Sequence, residues 1–201
     1  MINMAHIAVL GLGNWGTAIA RLWLLEGHKV KGWTIEQEVY ESITMRDTNE
    51  KYLADHPVPG LDATMHLDEA MDGSEIIVLA VPSSVILDVM EDVLPHLQPG
   101  HVLLDLAKGL APGKRLISEA IHTRLKEEGK ANPLAVLTGP TIAPEAAGGV
   151  MTTALVASED QAIAHRLAQT LSTPSFILHP ASDPVGAELW GAYKNVVALA
   201  C

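Results

Sequence analysis

Short runs of aliphatic residues alternate along the chain with longer stretches in which apolar positions recur at helical spacing. The runs at 7–11 (IAVLG), 29–33 (KVKGW), 74–82 (SEIIVLAVP), 101–107 (HVLLDLA), 133–140 (PLAVLTGP), 152–158 (TTALVAS) and 175–180 (SFILHP) predict strands. Between them, 14–26 predicts a helix closed by Gly27, and 36–44, 84–93, 114–128, 159–172 and 183–200 predict five more. Strands that are apolar almost throughout, separated by helices, imply a parallel sheet covered on both faces. With right-handed crossovers this gives an α/β fold, a doubly wound Rossmann-like parallel sheet. The polar segment 45–65, with Pro57, Pro59 and Gly60, predicts a surface excursion. The last stretch, GAELWGAYKNVVALAC (186–201), is rich in small apolar residues and reaches Cys201 without a helix stop signal. It predicts a boundary after residue 182, with 183–201 forming the first helix of a truncated all-helical C-terminal domain.

Composition narrows the function classes. Hydrophobic residues make up 48% of the 201, which suits a packed core and argues against disorder. Thirteen Lys and Arg against 24 Asp and Glu give a net charge of −11, and there is a single Phe. Such a chain lacks both the basic stripe and the stacking platform of a nucleic-acid binder. Nine histidines show neither HxH nor HExxH spacing, so no metal site is expected. Cys201 is the only cysteine, which excludes an intrachain disulfide and fits a reducing compartment. No apolar run approaches the roughly 18 residues of a membrane span, and the N-terminus carries no basic leader. The expectation is a soluble, cytoplasmic protein.

The stretch HIAVLGLGNWGTAIARLW (6–23) holds Gly11, Gly13 and Gly16 at the spacing G-x-G-x-x-G, closing the first predicted strand and opening the first helix. In that context Gly11 permits a tight turn, Gly13 lets backbone approach a pyrophosphate, and Gly16 lets helix and strand pack closely. The helix N-terminus then offers amide protons and the positive dipole end to phosphates. After the second strand, an acidic residue that reads the adenosine ribose favours NAD, whereas a nearby arginine accommodates the NADP phosphate. Glu36 is the acidic candidate and no arginine follows until Arg46, which favours NAD over NADP. Glu36 reads equally well as a solvated acid in the first turn of the next helix.

Taken in order, IAVLGLGNWGTAIA, GHKVKGW, LAVPS, KGL followed by SEAI, GPTIAPE and AYKNVVALA resemble the NAD(P)-dependent glycerol-3-phosphate dehydrogenases of the bacterial type over essentially all 201 residues. The resemblance implies reduction of dihydroxyacetone phosphate to sn-glycerol 3-phosphate with NADH or NADPH, a step that feeds glycerophospholipid synthesis. It implies that Gly11, Gly13, Asn14, Trp15, Gly16, Val81 and Pro82 contact the cofactor and that Lys108, in the K-G-[LI] motif, lies beside cofactor and substrate. It further implies that Gly139, Pro140 and Thr141 form a loop near both, and that Lys194 is the proton donor with Asn195 beside it. Two departures matter. Ile35 stands where many members have arginine, and Thr141 and Ile142 replace the usual Ser and Phe. The family's S-R-N motif, which holds the substrate phosphate, has no counterpart in these residues.

Chemistry supports some of these roles independently. Hydride addition to a ketone builds negative charge on oxygen, so a cation or acid must face it. At helical spacing Lys194 has only uncharged neighbours, Trp190, Gly191, Val197 and Ala198, which suits a lysine with a lowered pKa; a lysine snorkelling to solvent is the alternative. Lys108 follows a strand at its carboxyl end, where open sheets bind ligands. Thr141 reads as a substrate hydrogen-bond partner or as a helix cap. Glu188 and Asn195 read as a polar stripe toward the cofactor or as a solvated face, and Trp15 as a nicotinamide shield or a filler under the sheet. Two further readings stay open: another β-hydroxyacid-type dehydrogenase, disfavoured because Trp15 occupies the Met position of its G-x-G-x-M-G loop, and a non-catalytic dinucleotide-binding fragment. An exposed apolar terminal helix would favour a homodimer.

Overall fold

The computed structural model describes the backbone of residues 4–200 and the side chains of residues 4–193. Eight strands form one sheet: β1 (His6–Leu10), β2 (Lys29–Trp33), β3 (Asp62–Thr64), β4 (Ile76–Leu79), β5 (Val102–Asp105), β6 (Leu134–Thr138), β7 (Thr152–Ala157) and β8 (Phe176–Ala181). Eight helices separate or follow them: α1 (Asn14–Leu25), α2 (Gln37–Arg46), α3 (Leu67–Met71), α4 (Ile86–Val93), α5 (Ile117–Glu127), α6 (Ala143–Ala147), α7 (Gln161–Leu171) and α8 (Pro184–Ala200). The strand order is β3-β2-β1-β4-β5-β6-β7-β8. The chain works outward from β1 to β3, then crosses back to β4 and works outward on the other side. The topological switch point therefore lies between β1 and β4, where open α/β sheets bind ligands.

Every predicted strand and every one of the six predicted longer helices forms within a few residues of its expected limits. The sheet differs from the expected all-parallel one at a single pairing, because β7 runs antiparallel to β6. The connection between them, residues 139–151, holds only the short α6, and β7 returns beside β6. Strand alternation sorts the core. Ile7 and Val9 face α1, α2 and α7, with Trp23, Ile43 and Leu171, while Ala8 and Leu10 face α3, α4 and α5, with Met71, Met90 and Ile121. Trp23 is fully buried and donates its indole N–H to the Leu171 carbonyl at 3.1 Å, tying α1 to α7.

The expected surface excursion at 45–65 is corrected by the fold. Asn49, Leu53, Val58 and Leu61 are buried, and β3 adds an edge strand to the sheet. Periodicity missed this segment because its buried positions are isolated and one of them is an amide. The outer half of the sheet is unequal. In β7 and β8 alternate residues are exposed, so one face of these strands is left partly open, with Ile177 exposed and Leu155 lining a cavity with Trp190, which is 73% exposed.

Candidate functional site

At the switch point a cavity of about 820 Å³ runs from the glycine loop past the end of β2 and across α4 to Lys108. It brings together Gly11, Gly13, Asn14, Trp15, Glu36, Val81, Pro82 and Lys108 from the expected cofactor set. Gly11 has φ +106°, open to glycine, and a Cβ there would lie 2.7 Å from the Ala80 carbonyl oxygen. A Cβ on Gly16 would lie 1.8 Å from the Gly11 carbonyl oxygen, so this glycine lets α1 sit directly on the loop. At Gly13 a Cβ would meet no atom within 4 Å and would project into open space. The loop is thus a cradle whose vacant side a side chain would fill. No side chain caps α1 and no acid sits in its first turn, so its amide end stays available to an anion.

The cradle is held from behind by the refolded excursion. The Asn49 side-chain amide donates to the Leu12 carbonyl and to the Thr17 hydroxyl, both at 2.8 Å. Thr17 in turn donates to the Leu12 carbonyl at 3.1 Å. Asn49 has no solvent exposure, so these bonds are made in a dry setting where an unmade one is costly. Nothing in the local sequence marks Asn49, because its partners lie 32 and 37 residues away.

At the end of β2 the buried Thr34 accepts a hydrogen bond from the Glu36 amide at 3.2 Å and turns the chain toward the cavity. Glu36 occupies the N-cap position of α2 without capping it. Its Oε1 instead accepts from the Tyr52 hydroxyl at 2.8 Å, and its Oε2 from Lys51 Nζ at 2.5 Å. Lys51 also pairs with Glu38. Lys51 first, with help from Tyr52, holds the Glu36 carboxyl below the usual carboxylate range. Burial-independent pairing with the two acids lifts the Lys51 ammonium above its ordinary value. Tyr52 lines the cavity beside Glu36 and was not visible as a site residue in the sequence.

At the far end Lys108 Nζ donates to the Thr141 hydroxyl at 3.2 Å and stands 5.5 Å from the centre of the Trp15 indole. Trp15 also packs edge-on against Phe176 at 6.0 Å, so it both fills space under the sheet and faces the cavity. Thr141 is buried and does not cap α6, whose N-cap is Ile142. Two residues before Ala107, at the end of β5, Asp105 is entirely buried. Its Oδ1 accepts from the Ala107 amide at 2.9 Å, and its Oδ2 has no partner among the described residues. Burial, joined by the negative charge of Glu188, pushes its pKa up to about 8. Sequence reading took Asp105 as one more position in a strand.

The structure separates other members of the expected set. Gly139 and Pro140 line a second, apolar cavity of about 730 Å³ with Thr138, Trp190 and Gly191, and Thr141 connects this loop to Lys108. A Cβ on Gly139 would lie 2.9 Å from the β7 backbone, which explains the glycine by packing. Glu188 does not form a stripe toward the cofactor. It is buried and accepts from the Ile117 and Ser118 amides and the Ser118 hydroxyl, so it caps α5 and pins α8 to the sheet domain. The Lys194 and Asn195 side chains lie outside the described residues; their backbone belongs to α8. Among the described residues no group of His, Cys, Asp or Glu is placed to hold a metal ion, and no helix is long and apolar enough to cross a membrane.

Residues 6–164 match the family described as NAD-dependent glycerol-3-phosphate dehydrogenase N-terminus. The chain belongs to this family. A glycerol-3-phosphate dehydrogenase [NAD(P)+] of an Exiguobacterium strain is 40% identical over 199 residues, covering 98% of this chain and 58% of that protein. One from Syntrophotalea carbinolica is 38% identical, covering 97% and 59%. Among solved structures, glycerol-3-phosphate dehydrogenase from Coxiella burnetii superposes with a TM-score of 0.89 at 31% identity, over 98% of this chain and 60% of that one. The chain thus spans a little under three-fifths of the length of the curated relatives it matches.

Proposed function

We propose that this chain is the cofactor-binding part of an oxidoreductase that transfers hydride between NAD(P)H and dihydroxyacetone phosphate to give sn-glycerol 3-phosphate for glycerophospholipid synthesis. The observation that carries this reading is the single cavity with a phosphate cradle at one end and the Lys108–Thr141 pair at the other. The amides of Gly13, Asn14, Trp15 and Gly16 would hold the pyrophosphate, with Gly11 shaping the turn. Glu36 would hold the adenosine ribose, and Val81 and Pro82 the opposite wall. Bound there, the reduced nicotinamide supplies the hydride. Lys108 then places a cation where charge develops on the carbonyl oxygen or where the substrate phosphate sits, and Trp15 excludes water beside it. Gly139 and Thr141 would shape the substrate side, and Lys194, with Asn195, would deliver a proton to the carbonyl oxygen.

In this reading residues 1–182 form the dinucleotide-binding domain and 183–201 begin a helical substrate domain. Support comes from the partly open face of β7 and β8 beside α8, since sheets of this class are covered on both sides. A small phosphorylated substrate, a cytoplasmic setting and self-association through the exposed Trp190 and Tyr193 belong to the same proposal. The test is titration with NADH and NADPH followed by tryptophan fluorescence, then turnover with dihydroxyacetone phosphate. Binding with turnover supports the full reading. Binding without turnover favours a dinucleotide-binding module, and no binding overturns both.

A further inference from the structure

The chain carries a net charge of −11, yet residues 108–118 (KGLAPGKRLIS) hold three cations and no acid. This basic stretch is the turn between β5 and α5. Gly109 and Gly113 have φ of +118° and +81°, and Lys114 joins them in the left-handed region at +62°. A lysine, unlike Asn or Asp, has no local hydrogen bond of its own to favour that conformation, so the surroundings impose it. Buried Ala111 is the anchor: its amide donates to the Arg115 carbonyl at 3.0 Å, and its carbonyl accepts from the Lys114 amide at 3.1 Å. Imposed strain of this kind gathers where ligands are held. Between the turn and α8 lies a cavity of about 470 Å³, walled by Leu110, Leu189 and Tyr193 and completed by the exposed Lys114, Arg115 and Glu119. Counting Lys, Arg, Asp and Glu, it alone of five cavities along the described residues has a net positive lining. Gly109 lines it, while the preceding residue, Lys108, lines the dinucleotide cavity, so the two spaces meet at that peptide.

We propose that Lys114 and Arg115 form a docking site for the phosphate group of a small phosphate monoester, whose carbon end is directed along Gly109 toward Lys108. The inference rests on the phosphorylated-substrate part of the reading above and gives that substrate a phosphate contact within these residues. A phosphate monoester carries a charge of about −2 and three strong acceptor oxygens. The Lys114 ammonium meets it as a point charge and the Arg115 guanidinium as a planar fork. Arg115 is only loosely engaged. It donates to the Thr123 hydroxyl at 2.8 Å and stands 3.7 Å from Glu119, an exposed pairing of the kind that contributes little. A guanidinium has five N–H donors, so those two contacts leave it open to an anion. Leu110, Leu189 and Tyr193 keep water from one side of the pair, which strengthens its attraction for the phosphate. The rigid turn fixes both cations before the ligand arrives, which lowers the cost of binding.

Titration of the full chain with sn-glycerol 3-phosphate at low salt and without cofactor, followed by amide shifts in NMR spectra, tests the proposal. The amides of Gly109, Gly113, Lys114 and Arg115 should move saturably, and glycerol at the same concentrations should leave them in place. Added salt should weaken the binding. Lys114→Asn combined with Arg115→Gln should raise the dissociation constant on the order of tenfold, and Asn tolerates the left-handed backbone, so the turn is kept. Lys114→Arg, which keeps the charge, should retain the affinity. Lys126→Gln, at an exposed lysine further along α5, should change nothing. NADH binding, read by fluorescence, should be the same in the double variant as in the unaltered chain. The inference is overturned by a glycerol 3-phosphate titration that moves no amide of the turn, by equal binding to the double variant, or by an equal loss in Lys126→Gln. Failure of the unaltered chain to bind NADH would overturn the dinucleotide reading instead, and the two failures stay distinct because the phosphate ester is titrated without cofactor.

Discussion

Replacing Asp105 by Asn tests the most unusual group in the fold. Asp105 ends β5, with Leu79 and Val136 as its strand neighbours, has no solvent exposure and keeps one carboxyl oxygen without a partner. Desolvation moves its pKa from an ordinary 3.8 up to about 8, so the folded chain holds a proton near neutrality that the unfolded chain has lost. Stability from this group is therefore complete below the unfolded value and drains away as pH rises toward the folded one. The slope in that window is about 1.4 kcal/mol per pH unit. Between pH 5 and pH 8 the unaltered chain should lose roughly 3–4 kcal/mol relative to Asp105→Asn, which keeps the shape but does not titrate. Urea unfolding at pH 5, 6, 7, 8 and 9 measures the difference, and the slopes of all other groups cancel between the two chains. The gap should grow steadily to about pH 8 and then level off. A constant offset at every pH would refute the reasoning, because it would mean that the carboxyl carries the same charge folded and unfolded.

Other outcomes follow from the same geometry. Gly16→Ala places a Cβ 1.8 Å from the Gly11 carbonyl oxygen, so α1 must shift off the loop; titration should show loss of NADH binding. Asn49→Ala leaves the buried Leu12 carbonyl with one donor fewer and should cost about 2–3 kcal/mol in urea unfolding, with weaker NADH binding. His28 and His101 are buried, and each accepts a backbone amide on Nδ1, from Ala5 and Gln98. Burial, and for His101 also Lys130, lowers their pKa values, so the unfolded chain protonates first as pH falls below about 6.5. Read on the Asp105→Asn background, where the opposing slope is gone, the urea midpoint should fall from pH 7 to pH 5, and His28→Gln should flatten part of that fall.

What could be read from the sequence was local. Gly11, Gly13 and Gly16 carry their spacing within six positions, and apolar runs such as IIVL at 76–79 announce buried strands without reference to anything else. Right-handed crossovers implied a doubly wound sheet but not the order of its strands; that β1 lies between β2 and β4, which sets the switch point, came with the structure. The direction of β7 was not legible, because an apolar run is the same in a parallel and an antiparallel neighbour. The connection before it, GPTIAPEAAGG, forms only the five-residue α6 and gives no strong helical period that would mark either direction.

The parts of the candidate site that stayed hidden share one physical trait: their meaning is set by partners far along the chain. Asn49 looks like an ordinary loop amide until Leu12 and Thr17 are brought to it, and Lys51 and Tyr52 look like solvated residues until they close on Glu36. Glu188 failed in the opposite sense. Helical spacing placed it on a polar stripe, but the amides of Ile117 and Ser118 at the start of α5 needed an acceptor, and no side chain of that helix's own N-cap, Leu116, supplies one. A buried acid seventy residues away fills that need, and the same contact fixes where α8 leaves the sheet. An uncapped helix start does not by itself announce such a partner: α4, whose N-cap is Val85, has no side-chain cap either, and no distant carboxylate comes to it among the described residues. The contact between Glu188 and α5 is therefore set by how α8 packs beside that helix and could not be read from Leu116 alone.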